Sequence, residues 1–175
     1  MTIAELVQKD NSFNSSIFIS KANNMIKKLY NSTTLDELDN VDHFASDEVF
    51  NKFKRKLDDA KSKNLKLVYE QVNVDTNIRD IREENNNYII YCLVTCKFYK
   101  YCLDANGNVV SGDNSSRSTI IHKVEFIKRV GAKNEEVSRC LGCGTPLDIN
   151  NSGKCPNCGR VFDLEEYDYY INKFE

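Results

Sequence analysis

The chain has 175 residues, of which 41% are hydrophobic, 10% aromatic and 29% charged, with a formal net charge of −2. Enough apolar and aromatic side chains are present to bury a core, which excludes a disordered chain, and the near-neutral balance excludes a global pull toward nucleic acid. No apolar run approaches the roughly 20 residues that span a bilayer. The start, MTIAELVQKDNSF, has neither the basic and apolar regions of a signal peptide nor the Arg-rich composition of a mitochondrial presequence. TIAELVQ reads as a short amphipathic stretch, too brief to hold a membrane alone.

Phe18, Ala22, Met25, Ile26 and Leu29 recur at helical spacing and predict a helix over 15–30, with Ser15 or Ser16 as its cap. Thr34 and Glu37 have the spacing of a capping box and predict a short second helix. Ser46 begins a third over 46–62, with Asp47 and Glu48 in its first turn and Val49, Phe50, Phe53, Leu57 and Ala60 as its buried stripe. The period then changes to two. LKLVYEQVNVD predicts a strand with Val68, Val72 and Val74 on one face, and YIIYCLVTCKFYKYCL a long second one between the turn signals EENNN and DANGN. Asn106-Gly107 predicts a hairpin into VVSG. RSTIIHKVEFIKRV adds a strand with Ile120, His122, Val124 and Phe126 on one face. Helices followed by antiparallel strands predict an α+β domain, with Phe18, Met25, Phe50, Phe53 and Leu57 facing a curved sheet. The division is 1–131 for this body, 132–139 for a polar linker, and 140–175 for a separate tail.

That tail carries two Cys-x-x-Cys pairs, Cys140/Cys143 and Cys155/Cys158, each followed by a glycine (Gly144, Gly159). Two intervening residues let both sulfurs of a turn point at one ion, and a glycine with φ > 0 turns backbone N–H groups toward them. Two such turns eleven residues apart close a tetrahedral four-thiolate site with Zn–S bonds of about 2.3 Å. One structural zinc per chain at Cys140, Cys143, Cys155 and Cys158 is the expectation. Iron in a rubredoxin-like site has the same spacing. Two disulfides suit an exported chain, and a redox pair normally stands singly beside a βαβ unit. Four cysteines leave no open coordination position, so the metal is not catalytic.

Other reactive-looking residues have simpler readings. His122 is a pocket candidate, yet no carboxylate or nucleophile is placed as its partner, and His43 falls in a connection. Cys92, Cys96 and Cys102 read as small hydrophobes of the sheet. Lys52, Lys56 and Lys63 belong to a basic run on the third helix and its exit, suited to an anionic surface but diluted by Asp58 and Asp59. Tyr167, Tyr169, Tyr170 and Phe174 read as packing between tail and body rather than as a base-stacking platform.

The stretches FASDEVFNKFKRKLDDA, NGNVVSG, VEFIKRVGAK, CGTPLDINNSGKCPNCG and YDYYINKF resemble a bacterial Tim44-like domain with a carboxy-terminal zinc ribbon, over roughly 13–175. The chain departs from such relatives at Val124, where they often carry Trp, so an aromatic-lined pocket is not carried over. The resemblance implies a cone-shaped, nuclear-transport-factor-two-like fold. It further implies a non-enzymatic scaffold that meets proteins or an anionic membrane surface, transport-associated, in the cytoplasm at the inner face of the membrane. The alternatives are a nucleic-acid-associated ribbon, for which Lys154 and Arg160 against Asp148 offer little charge, and a ligand-binding or enzymatic member of the cone-shaped fold.

Overall fold

The computed structural model describes residues 1–41, 44–132, 143, 155, 157–159 and 168–175. Four antiparallel strands lie in the order β1 (Lys66–Glu84), β2 (Asn87–Leu103), β3 (Val109–Arg129) and β4 (Tyr170–Phe174). Helices α1 (Ile3–Lys9), α2 (Ser15–Leu35) and α3 (Asp47–Ser62) pack on one face of this sheet. The predicted α+β class is what the chain adopts.

The helix over 15–30 is present and longer than its apolar stripe implied. Asn14, not Ser15 or Ser16, is its cap, accepting from the Ile17 N–H at 3.0 Å. The Thr34–Glu37 box does not form. α2 runs on to Leu35 and ends at Asp36 in the left-handed region (φ 56°), so Thr34 is inside the helix. The Thr34 hydroxyl instead accepts from the Tyr69 N–H at 2.8 Å, tying α2 to β1. A short 3-10 turn, Leu38–Val41, replaces the second helix. The capping box of this protein is Thr2 with Glu5, at the start of α1. α3 begins at its expected cap, Ser46. Phe18, Phe53 and Leu57 are buried against the sheet, and Met25 and Phe50 pack at the margin of the core.

Tight turns and bulges shape the sheet. Asn85 and Asn86, both with positive φ, make the two-residue loop between Glu84 and Asn87. In β1 two residues, Gln71 and Val72, stand opposite the single Phe98, and Gln71 has φ 50°. This bulge reverses the parity of the strand. Val68 therefore lies opposite Tyr101 on the face away from the helices, whereas Tyr69, Val72 and Val74 join the core; the single-face reading of Val68, Val72 and Val74 fails for that reason. In β3 the four residues 114–117 stand opposite Tyr99 alone. The Arg117 guanidinium reaches back from there to the carbonyls of Lys97 (3.2 Å) and Gln71 (2.7 Å), pinning three strands where they bend.

Gly112, in the outer part of β3, has φ +77°, and a Cβ there would lie 2.3 Å from the Lys100 carbonyl oxygen. Gly112→Ala is expected to destabilise the fold by about 1–3 kcal/mol. Gly107→Ala, at the same kind of φ but with open space around it, should lose about 1 kcal/mol. Equal urea midpoints for the two variants would contradict this ranking.

β4 lies between β3 and residues 44–46. The Ile171 N–H donates to the Phe44 carbonyl at 2.8 Å, and the Ser46 N–H donates to the Ile171 carbonyl at 2.8 Å. The tail thus returns a strand to the body sheet, with Tyr169 and Phe174 buried and Tyr170 half-buried, as packing residues. Tyr167 lies outside the described residues. Among the described residues no helix is long and apolar enough to cross a membrane.

Candidate functional site

Cys143, Cys155 and Cys158 converge, with their sulfurs all within 4.8 Å of one another. The Cys143 and Cys155 sulfurs are 3.6 Å apart. A disulfide requires about 2.05 Å, whereas two corners of a tetrahedron with 2.3 Å Zn–S bonds lie about 3.8 Å apart. The knuckle has the local form expected of it. Gly159 has φ +74°, its N–H donates to the Cys155 carbonyl at 2.9 Å, and the Cys158 N–H approaches the Cys155 sulfur at 3.5 Å. The Asn157 side-chain amide lies 3.6 Å from the Cys143 sulfur. Soft thiolates with N–H groups turned toward them suit a borderline-soft cation, so these three cysteines can hold a metal ion. Cys140 lies outside the described residues.

His122 is buried, as are Val124 and Phe126 two and four positions on; Ile120 is 39% exposed and leaves the predicted stripe incomplete. Nδ1 of His122 lies 3.2 Å from the Glu175 backbone oxygen, which can only accept, so Nδ1 carries the proton. Nε2 therefore accepts from the Tyr30 hydroxyl at 2.7 Å. Burial holds the imidazole below the ordinary histidine range, and the nearby lysines Lys56 and Lys52 push the same way against the Glu175 bond. Both ring nitrogens are occupied and the Phe174 ring lies 4.2 Å away. The arrangement is that of a structural histidine. His43 lies outside the described residues.

The three lysines have different surroundings. Lys63 pairs with Asp59 at 3.2 Å, both exposed. Lys52 is half-buried and donates to the Phe174 carbonyl. Lys56 is half-buried with its Nζ 5.3 Å from the Phe53 ring centroid. Burial, then repulsion from Lys100 and Lys52, holds the Lys56 ammonium below the ordinary lysine range. Cys92 and Cys96 are buried on the helix side of the sheet, their thiols pushed up to about 12 by burial, which makes them inert hydrophobes. Cys102, further along β2, is half-buried and packs against the same core.

Sequence reasoning missed a second polar feature. Lys128 is 1% exposed and donates to Asp10 Oδ2 at 2.6 Å and to Ser12 Oγ at 3.1 Å, with its Nζ 5.4 Å from the Tyr169 ring centroid. Its position was readable, because Lys128 continues the His122–Val124–Phe126 parity into the core. Its partner in the α1–α2 turn was not.

The family model described as Tim44-like domain matches residues 1–137. No curated protein matches the chain.

Proposed function

The chain belongs to the Tim44-like domain family, and from that premise we propose that it is a non-enzymatic docking module that meets a protein partner or an anionic membrane surface. Family membership carries this reading, and the setting of His122 agrees with it. A general base needs a free nitrogen within reach of a substrate proton, and both of its nitrogens are spent on structure. The proposed seat is cytoplasmic, at the inner face of a membrane, in association with transport. The basic residues Lys52, Lys56 and Lys63 of α3 and its exit are the proposed contact. Each positive residue near an anionic surface contributes about 1 kcal/mol, and exposed charges are screened over about 8 Å at physiological ionic strength.

In this reading residues 1–131 form the docking body, 132–139 a linker, and 140–175 a ribbon whose last strand packs on the body. The ribbon holds one zinc at Cys140, Cys143, Cys155 and Cys158. The sulfur spacing of Cys143 and Cys155 supports zinc, and the Cys-x-x-Cys pattern assigns Cys140 as the fourth ligand. A segment this small draws its stability from metal binding, on the order of 10 kcal/mol.

Changing Lys52, Lys56 and Lys63 together to Glu is expected to abolish co-sedimentation with anionic vesicles, or capture of the partner, in a chain whose far-UV dichroism remains that of the folded protein; Lys63→Glu, at an exposed position, should weaken binding with little change in Tm. Wild-type protein that ignores anionic vesicles and membrane extracts at low salt would sink the docking reading. Elemental analysis should return one zinc per chain. Stoichiometric iron, or no metal in freshly purified protein, would refute the zinc assignment independently of docking. Cys155→Ala should release the metal while far-UV dichroism keeps the helices and sheet of the body.

A further inference from the structure

The second cysteine pair encloses one polar side chain. In Cys155-Pro156-Asn157-Cys158, Asn157 stands between two of the converging cysteines, yet the sulfur its amide reaches belongs to neither. Asn157 Nδ2 lies 3.6 Å from the sulfur of Cys143, 14 residues earlier in the chain. That is the reach of an N–H···S contact. A metal-bound thiolate carries no proton and can only accept, so the NH2 group of the amide, and not its oxygen, is the end that faces it.

The three described cysteines have different surroundings. Cys155 is buried, and its sulfur is approached at 3.5 Å by the Cys158 N–H, a donor from its own knuckle. Cys143 and Cys158 are exposed. The Cys143 sulfur is also 3.6 Å from the Cys155 sulfur. Two groups of the second pair, a thiol and an amide, therefore meet the same atom of the first. Four thiolates around one divalent cation leave a net negative charge, and each N–H turned toward a sulfur draws off part of it. The amide thus offers Cys143 from across the site what the backbone offers Cys155 from within its own turn.

We infer that Asn157 is a positioning residue of the metal site, its side-chain amide donating across to the Cys143 thiolate and tying it to the second cysteine pair. The inference rests on the metal reading of these cysteines and adds a requirement at position 157 for a donor of this length. Aspartate has the same shape but only accepts, and it sets a second negative charge against the thiolate. Alanine leaves the place to water, which donates without joining the two pairs.

The direct test is NMR of the intact chain loaded with an NMR-active cadmium isotope in place of zinc. A scalar coupling between the Asn157 amide protons and the cadmium, passed through the Cys143 sulfur, is expected. Wild-type protein that holds cadmium and shows no such coupling overturns the inference. Competition for zinc with a chromophoric chelator gives the size of the effect. Asn157→Ala is expected to weaken zinc binding about tenfold, at the lower end for residues that orient metal ligands, because the contact is exposed. Asn157→Asp should weaken it further. Asn157→Leu, of similar volume and without a donor, should behave as Asn157→Ala, and Asn157→Gln, which keeps the amide, should recover part of the loss. Equal affinity of Asn157→Ala and wild type shows that water replaces the amide, and affinity restored by Asn157→Leu shows that bulk is what matters; either result overturns the role of Asn157 and leaves the metal site intact. Wild-type protein that takes up neither zinc nor cadmium overturns the metal reading and this inference together. Should a variant fail to form the site, the coupling in wild-type protein still decides.

Discussion

Asp10→Ala is expected to lower the free energy of unfolding by about 3–5 kcal/mol, the loss seen when one member of a buried ion pair is removed. Lys128 is 1% exposed and Asp10 9%. Without Asp10 the ammonium keeps only the Ser12 hydroxyl and the face of Tyr169, and neither carries a full negative charge. The same substitution frees the turn between α1 and α2, because Asp10 Oδ1 also accepts from the Ser12 N–H at 3.2 Å. Removing both charges separates these contributions. In the double variant Asp10→Ala with Lys128→Met, the stranded charge is gone and an apolar chain of similar length fills its place, so most of the loss should be recovered. Urea denaturation of the three proteins measures this. A double variant no more stable than Asp10→Ala alone would show that the turn, not the buried charge, carries the effect.

Tyr30→Ala is expected to be as severe, about 3–5 kcal/mol, from cavity formation. Tyr30 is 1% exposed, and its ring meets Phe53, Tyr69 and Phe98 at 4.8–5.3 Å, joining α2 to α3, β1 and β2. Tyr30→Phe keeps the ring and removes the donor to His122 Nε2, leaving a buried acceptor unpaired at a loss of about 1–3 kcal/mol. The histidine also gives stability a pH dependence of defined sign. Its folded pKa lies below the ordinary value of 6.5, so the unfolded chain binds the proton more readily. The contribution of the neutral, buried ring is full above that value and is lost as pH falls through and below it. A chevron analysis in which Tyr30→Phe matched wild type would refute the Tyr30–His122 hydrogen bond.

The fold class was legible because the period of the apolar residues changes once, from helical to alternating, near Lys66, and because turn residues stand at both ends of β2. Ser46 was legible as a cap because an acidic first turn and an apolar stripe follow it at once. Thr34 and Glu37 have the same local spacing, but tertiary context overrode it: the Thr34 hydroxyl is committed to the backbone of β1. The reversal at Gln71 was illegible, since a non-glycine residue at positive φ leaves no mark in the alternation. Three of the four candidate metal ligands were legible from spacing and are found together. The pairing of Lys128 with Asp10 was not, because it joins residues far apart in the chain that only the packing of the helices on the sheet brings within reach.

The bulge of β3 at residues 114–117 has a bearing on solubility. Among the described residues β4 and Glu175 pair with β3 only over Lys123–Ile127, the earlier half of β3 has no partner on that side, and Val109, Val110 and Ile121 are exposed along it. An edge of that length and apolarity invites neighbouring chains to add strands and grow fibrils. Here the N–H groups of Ser115 and Ser116 fold inward onto Asp113, at 2.7 and 3.2 Å. The ladder that an incoming strand would need is interrupted at the middle of the edge. A chain trimmed to a regular β3 would keep its core and become prone to amyloid-like stacking.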